Sequence, residues 1–184
     1  HFDHALNACL LLSYVALRQG DAVGLSTFAC DAPRYLAPVK GAGQLNVLLN
    51  GVYDLDSTQR PADYPPAVNQ VLAQQKRRAL VVLVTNLRDE DDSELLNAVR
   101  HLGQHHQVLV VSLQEAALEP SHLPAVNTFQ DALTYCATVD YLNTRANIQQ
   151  RLNTHGLAVL DTPPEHLSTT LVSRYLGWKK AGVL

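Results

Sequence analysis

Apolar and polar positions alternate along the chain with two different periods, and they divide it into helical and extended segments. Residues 3–19, "DHALNACLLLSYVALRQ", carry apolar side chains around most of a helical circumference. That pattern predicts a helix buried on several sides, with Gly20 as its left-handed stop. "DAVGLSTFA" alternates toward a strand, and "RYLAP" is its expected hairpin partner across the turn at 30–33. In residues 44–54, Leu45, Leu48, Leu49, Val52 and Tyr53 fall at helical spacing and predict one inward face. A polar, proline-bearing loop leads into a helix over 65–75, with Val68, Val71 and Leu72 inward and its prolines in the first turn.

"ALVVLVT" at 79–85 and "QVLVVSL" at 107–113 are apolar on both faces, as central parallel strands covered by helices are. Leu95, Leu96, Val99 and Leu102 mark a helix between them. A long helix is expected over 126–154, ending at His155-Gly156, followed by the strand "LAVLD". "TPPEHLSTTLVSRYLGWKK" closes the chain as a helix opened by Thr162, Pro163 and a capping-box Glu165. Its inward stripe is Leu167, Leu171, Val172, Tyr175 and Leu176. Strands alternating with helices predict a Rossmann-like, doubly wound α/β sheet. No repeat, linker or low-complexity segment interrupts it, so residues 1–184 read as one domain.

Composition narrows the function. A 47% hydrophobic share with 17% charged residues is that of an ordinary soluble globular protein. A net charge of −3 gives no footprint for nucleic acid, and the compact basic run Lys76-Arg77-Arg78 merely precedes a strand. Cys9, Cys30 and Cys136 are widely spaced among apolar neighbours, which suits reduced core thiols in the cytoplasm better than a disulfide or zinc framework. No apolar run reaches the roughly 18 residues of a membrane span, and no charged-then-apolar signal pattern is present in the sequence. The start at His1 and the absence of methionine raise the expectation of a fragment whose upstream part carries an anchor, placing the domain in the cytoplasm or on the cytoplasmic face of the inner membrane.

In open α/β sheets, ligands collect beyond the carboxyl ends of the strands. Thr85, Asn86, Arg88, Asp89, Glu90, Asp91 and Asp92 lie just past such an end. Two readings of this cluster stand. Its oxygens could serve a hard cation such as Mg²⁺; equally, Asp91 with Glu94 three residues on is a helix start that complements the helix dipole, and spacing favours the cap. "KGAGQLN" lacks the spacing of a phosphate-binding loop and reads as a turn. His101 and His105 stand four apart, but Leu102 occupies the place of a zinc protease's glutamate. With His106 they read as a solvated helix end. There is no Gly-x-Ser-x-Gly elbow, and neither Ser26 nor Ser112 has a pattern that marks a nucleophile.

The segments "QGDAVGLSTF", "DYPPAV", "RALVVLVTNLRDED" and the ending Ser173-Arg174-Tyr175-Leu176, in this order along essentially the whole chain, resemble the bacterial domain-of-unknown-function fifty-eight family of von Willebrand factor A-like proteins. The resemblance implies a Rossmann-like sheet and an interaction module without enzymatic activity, acting with a MoxR-type AAA+ ATPase in chaperone-like assembly or maturation of other proteins. It also implies a metal-ion-dependent adhesion site, from which this chain departs. The first strand with its Asp-x-Ser-x-Ser motif would precede His1, Asp63 stands at or near the usual threonine, and Asn86 replaces an aspartate. The site is therefore expected to be degenerate, with no cofactor, and partner contacts are expected from Asp63, Tyr64, Thr85, Asn86, Arg88 and Asp89. The missing first strand would be central, between "AVGLSTFA" and "ALVVLVT", and two open ladders are expected in its place. The competing expectation is a Mg²⁺-dependent hydrolase of phosphorylated substrates using Asp63, Asp89 and Asp91.

Overall fold

The computed structural model describes residues 2–30, 32–58, 60–87, 92–113 and 126–184. Helix α1 (Phe2–Arg18) leads into an antiparallel hairpin of β1 (Val23–Ser26) and β2 (Tyr35–Val39), followed by α2 (Gly43–Val52) and α3 (Tyr64–Gln74). Then come β3 (Leu80–Val84), α4 (Asp92–Gly103), β4 (Gln107–Leu113), α5 (Phe129–Thr154), β5 (Ala158–Thr162) and α6 (Pro164–Lys180). Strands β3, β4 and β5 form a parallel sheet in that order, with Val82 beside Leu109 and Val110 beside Val159. The fold is thus mixed α/β with a helix-flanked parallel sheet, Rossmann-like in kind.

The strand period of two sorts this sheet's side chains onto two faces. Leu80, Val82, Val84, Leu109, Val111 and Leu160 pack with Ala8 of α1 and with Leu167 and Leu171 of α6. Val81, Leu83, Val108, Val110 and Val159 turn to the other face, against Val68 of α3, Leu95 and Val99 of α4, and Ile148 and Leu152 of α5. The hairpin is a separate sheet, and among the described residues no strand lies between β1 and β3. Among the described residues, each therefore has an edge with no strand partner.

Several expectations need correction. Strand β1 is confined to Val23–Ser26, and Ala29 adopts a left-handed φ of 56° as the chain turns back. Gly24 is demanded by the close hairpin, because a Cβ there would stand 2.5 Å from the carbonyl oxygen of Leu36. Helix α5 starts at Phe129, not near Val126. Thr128 accepts from the Asp131 amide while the Asp131 carboxylate accepts from the Thr128 amide, a reciprocal cap that sets the boundary. The capping box proposed for α6 does not form: Thr162 is the buried last residue of β5, and Pro164 opens the helix without a side-chain cap.

The inward face of α2 is Gln44, Leu48 and Val52, whereas Leu49 and Tyr53 are exposed. Gln44 is buried because its amide donates to the carbonyls of Val23 (2.9 Å) and Ala37 (3.2 Å), which ties the helix to both hairpin strands. Helix α1 is less enclosed than its sequence suggests, with Leu11 and Tyr14 exposed. Cys136 lies exposed on α5 and is not a core thiol. His106 is no part of a solvated helix end: it is 4% exposed, and among the described residues neither ring nitrogen has a hydrogen-bond partner. The proposed Asp91 helix start lies outside the described residues.

Candidate functional site

Between the hairpin and the parallel sheet lies a cavity of about 430 Å³. Leu25, Ser26 and Thr27 border it on the β1 side, and Val84, Thr85 and Asn86 on the β3 side. The carboxyl ends of both strands border its mouth. Phe2, Ala5, Leu6 and Cys9 of α1 line it as well, leaving a largely apolar interior below a polar rim. Burial pushes the Cys9 thiol up to about 11, so the thiol stays protonated near neutrality.

The rim is held by specific bonds. Tyr64, at the start of α3, is 1% exposed, and its hydroxyl meets the Thr85 hydroxyl at 2.9 Å. Its ring lies 5.8 Å from that of Phe28, a tilted aromatic pair. Thr27 accepts at its hydroxyl from the Arg34 amide (2.8 Å), and the Thr58 hydroxyl donates to the Ala29 carbonyl (2.5 Å). The Ser26 hydroxyl oxygen is shut off from solvent and has no hydrogen-bond partner among the described residues.

Of the residues singled out from the sequence, Tyr64, Thr85 and Asn86 are gathered at this mouth. Asp63 is exposed at the cap position of α3, makes no capping bond, and does not border the cavity. Arg88, Asp89 and Asp91 lie outside the described residues. Among the described residues, no three of His, Cys, Asp or Glu gather as metal ligands. Among the described residues at the end of β3, the donors are an amide and a hydroxyl already engaged with Tyr64, a poor match for a hard cation that favours carboxylate and water oxygens.

A second polar centre escaped the sequence reading. Arg145 of α5 is 5% exposed, yet its guanidinium donates to Asp161 Oδ1 (2.5 Å), Ser112 Oγ (2.7 Å), the Leu113 carbonyl (2.7 Å) and the Tyr141 hydroxyl (3.2 Å). Burial works against its charge, but the Asp161 carboxylate outweighs that and holds the guanidinium above its ordinary range. The signal was available: Ser112 and Asp161 are polar residues at the ends of apolar strands, and the parallel register sets them side by side. What it could not reveal was a cation from the interior of α5 reaching them.

A helix-flanked α/β sheet with a cleft at its strand carboxyl ends is the class of protein these features define. The family model described as "Protein of unknown function DUF58" matches residues 2–159, and the chain belongs to that family. Neither curated proteins nor solved structures gave a match. Among the described residues, no helix is long and apolar enough to cross a membrane.

Proposed function

We propose that this chain is a von Willebrand factor A-like interaction module that engages protein partners at the mouth between β1 and β3. It works with a MoxR-type AAA+ ATPase in chaperone-like assembly or maturation of other proteins. The observation that carries the reading is the make-up of the mouth. Thr27, Thr85 and Asn86, neutral hydrogen-bonding groups, border an apolar interior, and the Tyr64–Thr85 bond fixes the α3 loop against β3. An apolar centre inside a polar rim is how recognition surfaces are built. Asn86 is exposed there and able to meet a partner with both its amide donor and its carbonyl acceptor. The hydrolase reading drew on Asp63, Asp89 and Asp91; of these Asp63 does not border the cavity, and the other two lie outside the described residues.

Co-purification of the tagged chain with a MoxR-type ATPase, with ATP or ADP present, tests the partner. We expect a stable complex in at least one nucleotide state, weakened about tenfold by Asn86→Arg at the rim. No association in either state overturns the proposal. Calorimetric titration with Mg²⁺ and Mn²⁺ tests the metal-independent form of it, and tight binding by the native sequence would overturn that form.

A further inference from the structure

We propose that the amino end of the parallel sheet is a docking face for an anionic lipid bilayer. The chain sorts its charges by end. Helices α3, α4 and α5 each run straight into the amino end of the strand that follows, so Lys76, Arg77, Arg78, Arg100 and Arg151 gather there. Helix α6 leaves the carboxyl end of β5 and runs back along the sheet, which brings Lys180 to the same end. All six side chains are exposed. No Asp or Glu occurs in the connections 75–79, 104–106 and 155–157 or in the last turns of these four helices. Asp21, which reaches this end behind α1, is held by Lys179 at 2.7 Å. Acids stand instead at the opposite end, with Asp63 before α3 and Glu94, Asp131 and Glu165 in the first turns of α4, α5 and α6. Helix dipoles explain part of this sorting, since a cation in a last turn offsets the partial negative charge there, and Arg100 and Arg151 hold that place. They do not explain Lys76, Arg77 and Arg78, which lie beyond α3, a helix with no basic residue in its last turn.

The layout selects the partner. The cations come from helices on both faces of the sheet, so they cover a broad end and do not line one helix or stripe as a nucleic-acid footprint does. A bilayer is broad and flat, and its anionic head groups attract exposed Lys and Arg one by one. Val183 and Leu184, exposed just past Lys180, add apolar side chains to the cations, a mixture that suits the head-group boundary. The net charge of −3 is no obstacle. The 17 residues of α6 part its first turn from its last by about 25 Å, several times the roughly 8 Å over which physiological salt screens charge. A surface touching the basic end therefore hardly feels the acids. In this pose the mouth at the carboxyl end of β3 faces away from the lipid and stays open to a protein partner. The inference does not depend on the ATPase: absence of that complex leaves the basic end unchanged.

The test is sedimentation of the whole chain with vesicles of phosphatidylcholine alone and of phosphatidylcholine with about one-third phosphatidylglycerol. We expect binding to the anionic vesicles only, weakened about tenfold between roughly 0.05 and 0.5 M NaCl. Lys76→Gln, Arg77→Gln and Arg78→Gln should cost about fivefold each, and about a hundredfold together. Trp178, the single tryptophan, lies in the last turn of α6 and reports which end docks. Its fluorescence should be quenched by lipids spin-labelled at the head group. Equal sedimentation with neutral vesicles, no sedimentation with either, or binding that leaves Trp178 unquenched would overturn the proposal. So would tighter binding, at matched anionic charge, of a DNA duplex or of polyglutamate, because the face would then serve a polynucleotide or an acidic protein. Should the triple variant fail to fold, lipid composition, salt and Trp178 still decide the matter.

Discussion

Strands β3 and β4 are written in nearly the same letters, LVVLV and QVLVVSL, yet they live in different surroundings. Every residue of β4 after Gln107 is buried, whereas every residue of β3 is only half-buried. Helices cover both faces of each. The difference is lateral: among the described residues β4 is flanked by β3 and β5, while β3 has a neighbour on one side only. Burial of an apolar strand is thus decided by its edges as well as by its faces, and hydropathy patterns see the faces alone.

The sharpest way to test this contrast is at the closed end of the sheet, where α5 locks β4 to β5. Arg145→Ala would leave the Asp161 carboxylate, 10% exposed, without its principal cation. Loss of one partner from a buried pair costs about 3–5 kcal/mol, readable as a drop in the urea midpoint. A smaller expected effect comes from comparing the strands directly. Leu109→Ala in β4 removes a side chain that is 1% exposed, at a cost of about 2–5 kcal/mol. Leu83→Ala in half-buried β3 should cost less than half as much; equal costs would show that β3 is covered on its outer edge in solution.

The smallest effect is a pH dependence at the entrance to β4. Burial, and secondarily the neighbouring His105, lower the affinity of His106 for a proton below its ordinary value of 6.5. In the window just below 6.5 the unfolded chain therefore binds more protons than the folded one. Stability is complete above that window and declines as the pH falls through it. His106→Leu should flatten the decline in melts recorded across that range, and an unchanged slope would assign the dependence to other groups.

Much of the fold was legible because periodicity reports directly on which faces are covered. The stripe Leu167, Leu171 and Tyr175 of α6, the hairpin pairing and the apolar β3 and β4 runs all follow from it. The unread parts are those decided by partners distant in sequence. Gln44 is buried, outside the apolar inward face expected for α2, because two hairpin carbonyls await its amide. Cys136 is exposed although its neighbours are apolar, since the inward side of α5 is set by Thr138, Arg145, Ile148 and Leu152. At the candidate site, Tyr64, Thr85 and Asn86 were legible from their place after a strand or before a helix, but Ser26 was not. Its isolation follows from an edge that only the three-dimensional pairing exposes.

Helices α1 and α6 pack against one another, and Asp21 receives hydrogen bonds from Tyr175 and from Lys179 (2.7 Å), groups more than 150 positions later in the chain. This gives assembly a timetable. As the polypeptide leaves the ribosome, Leu80, Val82 and Leu109 have emerged long before Leu167 and Leu171 arrive to cover them. The part of this greasy side that α1 does not cover must wait for α6 to be made, and that interval is when the young chain is most exposed to sticking to its neighbours.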